Sequence, residues 1–340
     1  MGDAYNRFMD SEAIRGVNLG GWLVSERWMT EGLYAGTDAH DEYELSQNPD
    51  GPWRIARHHR TFITEDDFRW LALHRINAVR IPIGYWLFGD EPPYIGSVER
   101  LDWAMSMAAK YKLKVLLCLH GAPGSQNGKD HSGRRGQAAW FRDAANRNRT
   151  VAFLERIAQR YRDETALWGI ELLNEPKVGL FQVKLRRFYR PAYRQLTRIV
   201  RPGTHIIFHD GFTPRLMSGA LGGSKEYPIM MDVHWYQFGS IWSRVETLTW
   251  YFRRVAARVG LLQRLETQQP VIVGEWSVVL SGQVLHRAGG LSEAQAVRRH
   301  AQLQLGIYAQ AAGWFYWTYK TENRGIWHFR SQVEDGVINL

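Results

Sequence analysis

The sequence predicts an α/β fold, a single-domain (β/α)8 TIM barrel, and three observations carry that reading. Short apolar runs alternate with longer amphipathic segments along the chain, and the short runs number eight. Several are unbroken stretches of β-branched residues and leucine, the pattern of parallel strands covered on both faces. No Gly-x-Gly-x-x-Gly follows the first run, which argues against the competing arrangement, a doubly wound open sheet.

In order, the strands are expected at 14–19, 78–83, 114–120, 168–174, 205–209, 230–235, 271–275 and 313–317. Apolar residues recurring every three to four positions predict helices at 65–74, 98–111, 149–162, 185–200, 243–265 and 292–311. Thr64 and Ser292 are suited to N-caps, and Ser292 is followed by an acidic residue in the first turn. The fifth strand is followed by a loop-like stretch, 211–228, with no long helix. No linker, internal repeat or low-complexity segment interrupts the chain. Residues 1–340 are therefore read as one catalytic domain with its core at about 14–329.

Composition narrows the function. An apolar share of 45% with 23% charged residues is that of a soluble globular protein with a substantial core. The chain is rich in aromatics, with 15 Trp, 15 Tyr and 14 Phe, and such rings either pack a core or hold sugar faces in a cleft. A net charge of +9 could mark a polyanionic partner. Yet Arg186, Arg187, Arg190, Arg194, Arg198 and Arg201 follow helical spacing, as do Arg253, Arg254, Arg258 and Arg264. With no basic block and no nucleic-acid motif, they read as solvated helix faces and no nucleic acid is expected; an anionic surface or substrate is the other reading. The one cysteine, Cys118, lies in the run Val115-Leu116-Leu117-Cys118-Leu119 and reads as a buried inert thiol. No membrane span is expected, and the start of the chain lacks the apolar stretch of a signal peptide. A cytoplasmic protein or a processed secreted form, as a monomer, fits this, and the Asn-Arg-Thr triplet at Asn148 weighs little.

In a barrel of this kind chemistry sits at the C-terminal ends of the strands. Those ends carry Asn18-Leu19-Gly20-Gly21-Trp22 with Glu26 beyond, Arg80, His120-Gly121-Ala122-Pro123-Gly124, Asn174-Glu175-Pro176, His234-Trp235-Tyr236, Gly274-Glu275-Trp276 and Trp317. A single charge closing an apolar run needs a reason, because an unpaired buried charge is costly. Glu175 and Glu275 on opposite strands supply the two carboxylates that glycoside hydrolysis requires. Arg80 beside Glu275 would keep that carboxylate ionised and oriented. His120, His234 and Tyr236 would offer hydrogen bonds to hydroxyls or carboxylates, and Asn174 a bond to a sugar 2-hydroxyl.

At these residues the chain resembles glycoside hydrolase family 5, and within it the exo-β-1,3-glucanase-like branch. The segments carrying the resemblance are Arg15-Gly16-Val17-Asn18-Leu19-Gly20-Gly21-Trp22-Leu23, the run from Leu119 through Gly128, Asn174-Glu175-Pro176, Gly274-Glu275-Trp276 and Lys320-Thr321-Glu322-Asn323. They span about Arg15 to Phe329. The resemblance implies a retaining two-step β-glycosidase without metal or cofactor, acting on β-glucan, oligosaccharide or β-glucoside. It assigns Glu275 as nucleophile and Glu175 as acid and then base. It places Arg80, His120, Asn174, His234 and Tyr236 around them, Trp317 as an aromatic platform, and Glu26 on the non-reducing glucose, which favours exo action.

One departure stands out. Lys129 occupies the position just after Gln126-Asn127-Gly128 where the branch usually has an aromatic, which leaves Phe238 to supply one side of the leaving-group clamp. An endo-β-glucanase, a glycolipid-directed glucosidase and an inactive carbohydrate-binding barrel are the alternatives. Metal-dependent hydrolysis is disfavoured because His58 and His59 are adjacent and no His-Glu-x-x-His occurs. Serine hydrolysis is disfavoured by the lack of Gly-x-Ser-x-Gly.

Overall fold

A computed structural model describes residues 13–136, 138–177, 182–237, 247–286 and 290–340. Eight parallel strands close into a barrel in sequence order. They are β1 (Ile14–Asn18), β2 (Ala78–Gly84), β3 (Lys114–Gly121), β4 (Leu167–Glu171), β5 (His205–His209), β6 (Ile229–His234), β7 (Val271–Trp276) and β8 (Gly313–Tyr316). β1 pairs with both β2 and β8, with Gly16 opposite Ala78 on one side and Phe315 on the other. The eight predicted strands are all present, and the largest difference is that β4 stops at Glu171, so Asn174 and Glu175 lie in the loop after it.

Period two along each strand sorts the side chains. Val17, Val79, Ile81, Val115, Leu117, Leu119, Ile206, Phe208, Met231, Val233, Val271 and Val273 face outward into the main core shared with the helices. Ile14, Ala78, Leu116, Ile207, Met230, Ile272 and Phe315 face inward and fill the barrel floor. Each fully buried aliphatic or aromatic side chain of this kind contributes about 1.5–3 kcal/mol. The same inward rows continue upward as polar residues: Asn18 after Ile14, Arg80 after Ala78, His120 after Leu116, Asp232 and His234 after Met230. The floor is therefore apolar and the mouth polar along single strands.

Helices α1 (Glu42–Ser46) and α2 (Gly51–Thr61) fall between β1 and the helix expected at 65–74, in a stretch where the periodicity predicted none. On α2, His58 Nε2 donates to the Gly21 carbonyl at 2.7 Å, and the His59 carbonyl accepts from Trp22 Nε1 at 2.9 Å. The pair thus anchors the loop after β1. α3 (Glu65–Leu73) opens with Thr64 N donating to Asp67 Oδ2 at 2.8 Å. α4 (Val98–Lys110) matches its expected span to within a residue. α5 (Ala144–Tyr161) starts five residues earlier than predicted, because the Asp143 carboxylate caps it by accepting from Ala145 N. α6 (Gln182–Leu196) follows β4, and a four-residue α7 (Pro214–Met217) is all the helix that follows β5.

The predicted helix 243–265 is in fact two, α8 (Leu248–Ala256) and α9 (Arg258–Glu266), and residues 243–246 lie outside the described residues. A short α10 (Gly282–Leu285) precedes α11 (Glu293–Tyr308), which Ser292 caps as expected, and α12 (Phe329–Glu334) follows β8. Arg258 corrects the solvated-face reading of the arginines. Its guanidinium lies 5.0 Å from the centre of the Trp235 ring and donates to the Tyr236 carbonyl at 3.3 Å, where burial pushes its pKa down. No helix among the described residues is long and apolar enough to cross a membrane.

Candidate active site

Arg80 is fully buried at the centre of the barrel mouth. Its Nε and Nη2 donate to the two oxygens of Glu171 at 2.8 and 3.2 Å. Nη1 donates to Glu275 Oε1 at 3.0 Å and to Asn18 Oδ1 at 2.8 Å, and Nη2 also reaches Asn174 Oδ1 at 2.8 Å. Asp232 Oδ2 stands 3.8 Å away. A planar guanidinium with five donors can serve so many partners at once, which an ammonium cannot. Asn18, whose Oδ1 faces Arg80, spends its Nδ2 on the carbonyls of Gly274 and Tyr316 at 2.9 and 3.2 Å. The first strand is thereby tied to the last two.

Glu275 receives Arg80 on one oxygen and the Tyr236 hydroxyl on the other, at 2.7 Å. It faces inward because the ladder slips between Val233 and His234, pairing His234 with Glu275. Gly274 beside it has no room for a side chain, since a Cβ there would come within 2.0 Å of Asp232 Oδ2. Its N–H donates to Asp232 Oδ1 at 2.7 Å.

Glu175 stands at φ 40°, in the left-handed region that costs an L-residue about 1–2 kcal/mol. His234 Nδ1 lies 2.9 Å from Glu175 Oε1 and 3.4 Å from Glu275 Oε2. Those two carboxylate oxygens can therefore be no farther apart than the two lengths laid end to end. One imidazole bridges the two carboxylates across the barrel mouth. Burial opposes charge on His234, yet Glu275, Asp232 and Glu175 around it hold its pKa well above the usual range. Burial likewise acts against Glu175, but the His234 hydrogen bond, with His131 and Lys129 adding positive charge, holds its carboxyl well below its usual range. Each group is among the causes of the other's shift, so the two titrate as a pair.

The remaining expected residues surround this centre. Glu26 is buried, accepts from Trp28 Nε1 at 2.8 Å and leaves Oε1 without a partner. Burial, then Asp130, pushes its pKa well up. His120 is wholly covered, stacks on Trp317 at 5.4 Å with rings nearly parallel, and has its pKa pushed well down by burial. It touches neither Glu175 nor Glu275. Trp317 packs over Gly20, where a Cβ would meet its ring at 3.0 Å. Asn174 keeps Nδ2 free of Arg80, 3.5 Å from His120 Nε2. Phe238 lies outside the described residues. Cys118 is buried beneath the site, and burial pushes its thiol pKa well up.

Sequence reasoning did not single out Glu171, Asp232, His131, Trp28 or Trp327 for the site. The inward row of each strand would have found the first two. Trp28 and Trp327 meet edge to face at 5.2 Å and, with Tyr236 at 6.0 Å from Trp327, make an aromatic rim. Two groups among the described residues have the composition of a metal site, Glu175 with His209 and His234, and Glu171 with Asp232 and His234. In the first, His209 Nδ1 accepts from Gly211 N at 2.9 Å, so Nε2 carries the ring proton and offers no lone pair. The second shares its carboxylates with Arg80, whose charge opposes a cation.

No family model matches the chain. It is 36% identical to the Emericella nidulans protein named "Probable glucan 1,3-beta-glucosidase A", covering 96% of this chain and 90% of the relative. It is 32% identical to the glucan 1,3-beta-glucosidase of Blumeria graminis, covering 97% and 87%. Among solved structures, the rutinosidase from Aspergillus niger superposes with a TM-score of 0.81 at 20% identity, covering 96% of this chain and 98% of that one. Endoglucanase Cel5A from Thermotoga maritima gives 0.56 at 19% identity over 90% and 89%. These last two are likenesses of fold. The chain belongs to the glucan 1,3-beta-glucosidase family, in the exo-β-1,3-glucanase-like branch of glycoside hydrolase family 5, and is a glycoside hydrolase.

Proposed function

We propose that this protein is a retaining β-glucosidase that removes glucose from β-1,3-glucan or related β-glucosides by double displacement. The observation that carries the reading is His234 Nδ1 at 2.9 Å from Glu175 and 3.4 Å from Glu275, which brings both carboxylates to one imidazole at the barrel mouth, as an acid and nucleophile pair requires. Glu275, kept ionised by Arg80 and oriented by Tyr236, attacks the anomeric carbon. The bond to the leaving oxygen breaks as that oxygen takes the proton held by the Glu175–His234 pair. In the second step Glu175 takes a proton from water, the hydroxyl attacks the same carbon, and the ester to Glu275 breaks. Two inversions return the original configuration. Asn174 Nδ2 is the donor available to the sugar 2-hydroxyl, a bond that strengthens as positive charge develops at the ring. The unpartnered Oε1 of Glu26, buried at the mouth, supports a bond to the non-reducing glucose and so exo action.

The test is hydrolysis of an aryl β-glucoside, a laminarin-type β-1,3-glucan and a cellulose-type glucan, with products resolved by length and Glu275→Gln as blank. Glucose alone from the β-1,3-glucan, absent in the blank, is the expected outcome. Glu175→Ala should regain turnover of activated substrates when azide is added, forming the β-glucosyl azide. Turnover persisting in Glu275→Gln, or azide without effect, rejects the assignments.

A further inference from the structure

Oε1 of Glu175 is taken by His234, so Oε2 is the oxygen left to meet a leaving group. Two side chains face Oε2: Lys129 Nζ at 3.5 Å and His131 Nε2 at 3.6 Å. The loop bearing them hangs on the Glu175 segment. Asn127 Nδ2 reaches the Glu175 carbonyl at 3.2 Å, Asn127 Oδ1 accepts from Lys129 N at 3.0 Å, and Gln126 Nε2 donates to the Asn174 carbonyl at 3.0 Å. Lys129 is thus held at the open side of the acid by its backbone. Its side chain is 60% exposed, which leaves the ammonium hydrated and able to turn. Beyond it lies a cavity of about 630 Å³ lined by Lys129, Arg27 and Arg135 with Glu31 and Asp130, where Arg135 also pairs with Glu44 at 3.4 Å. Trp28 supplies an aromatic wall there.

We propose that Lys129 is a specificity-determining residue on the leaving-group side and that the favoured leaving group carries a carboxylate. The inference rests on the reading of Glu175 as the acid. In the empty site Lys129 pairs with the ionised Glu175. When Glu175 carries the proton to be transferred, Lys129 loses that counter-charge, and a carboxylate on the leaving group replaces it. No further bond changes: the leaving group departs as a hydroxyl compound with its carboxylate intact. A uronic acid and a phenolic acid share this chemistry.

The experiment compares kcat/KM for matched β-glucosides, 3-carboxyphenyl against 3-carbamoylphenyl, and glucosyl-glucuronic acid against the corresponding neutral disaccharide. In the wild type the carboxylate member should be favoured by about three- to fivefold, the scale of a solvent-exposed ion pair, and the preference should shrink with added salt. Lys129→Arg should keep it, Lys129→Met should abolish it and Lys129→Glu should reverse it. A preference confined to the aryl pair points to phenolic acids, and one confined to the disaccharides to a uronic acid. Equal rates in both pairs, or a preference that survives Lys129→Met, overturns the proposal. Turnover of the neutral members that vanishes in Glu275→Gln shows that the glycosidase reading stands in either case. No turnover of any of the four compounds would remove that reading and this proposal with it.

Discussion

Arg80 and Glu171 form a two-pronged ion pair, 2.8 and 3.2 Å long, with no exposed surface on either side chain. Glu171 does not reach the open cleft. Its role is to hold the Nε and Nη2 edge of the guanidinium so that Nη1 is presented to Glu275 and Asn18 and the second hydrogen of Nη2 to Asn174. Such a pair adds little net stability against an apolar replacement, but half of it alone is expensive.

Arg80→Met therefore leaves Glu171 without its cation and leaves Glu275 and Asp232 with His234 alone as a cation. The expected cost is about 3–5 kcal/mol of unfolding free energy, read by urea denaturation at neutral pH. Arg80→Lys should lose less stability yet fail to restore activity, since one ammonium cannot hold Glu171 and Glu275 together. A Lys variant with wild-type turnover would refute the hub role.

Tyr236→Phe removes the 2.7 Å hydrogen bond on Glu275 and leaves the half-buried ring in place. Hydrogen bonds to charged groups are worth about 1.5–3 kcal/mol, so kcat/KM should fall roughly ten- to hundredfold. Glucosides with good leaving groups, assayed beside Glu275→Gln, provide the measurement. A change within twofold would show that Arg80 alone orients the carboxylate.

The alkaline limb of the kcat/KM profile should report the Glu175–His234 pair. Because surrounding carboxylates raise the His234 pKa, the pair retains its proton as pH rises past the ordinary imidazole range and loses it only beyond. Acid catalysis should thus persist into neutral solution and then decline. In His234→Asn the proton must rest on Glu175 itself, and the limb should move toward acid. An unmoved limb would mean that His234 does not carry the proton.

Stability in acid has a separate source. His300 is buried, stacks on Phe252 and has no partner for either ring nitrogen, and its pKa is pushed down to about 3 by burial, then by Arg258. The folded-state value lies below the unfolded one, so the unfolded chain binds the proton first and stability is lost as pH falls below about 6.5. His300→Leu should raise the melting temperature at pH 4.5 relative to wild type, by an amount equivalent to about 2 kcal/mol, and raise it much less at pH 7.5. Equal effects at both pH values would exclude the titration.

The residues most legible in the sequence were those that end an apolar run with a charge or a ring. Glu175, Glu275, Arg80, His234 and Tyr236 stood out because hydrophobic strands have no other use for them there. Glu171 and Asp232 were harder to see, because a polar residue inside a run reads as an interruption until the inward row of the strand is traced. Lys129 was noticed as a departure from the family pattern, but its position against Glu175 depends on a loop path set by Asn127 and Gln126 side chains. The helices at Glu42–Ser46 and Gly51–Thr61 escaped because the first is held by its Asp41 cap and the second by the contacts of His58 and His59 with the loop after β1, rather than by a long apolar stripe. The left-handed backbone of Glu175 has no sequence signature at all.

Asn18 carries a consequence for how the molecule comes into being. Besides its side-chain bonds across the seam, its carbonyl accepts from Tyr319 N and from the Thr318 hydroxyl, both at 2.9 Å. A residue from the first strand to be synthesised thus waits for the last before its amide is turned toward Arg80. Strands two to seven can assemble earlier, but the guanidinium lacks one of its anchors until the ring shuts. A chain that ended before β8 would carry both glutamates and still lack the contacts that turn Asn18 toward Arg80. The onset of activity during synthesis would mark the moment of closure.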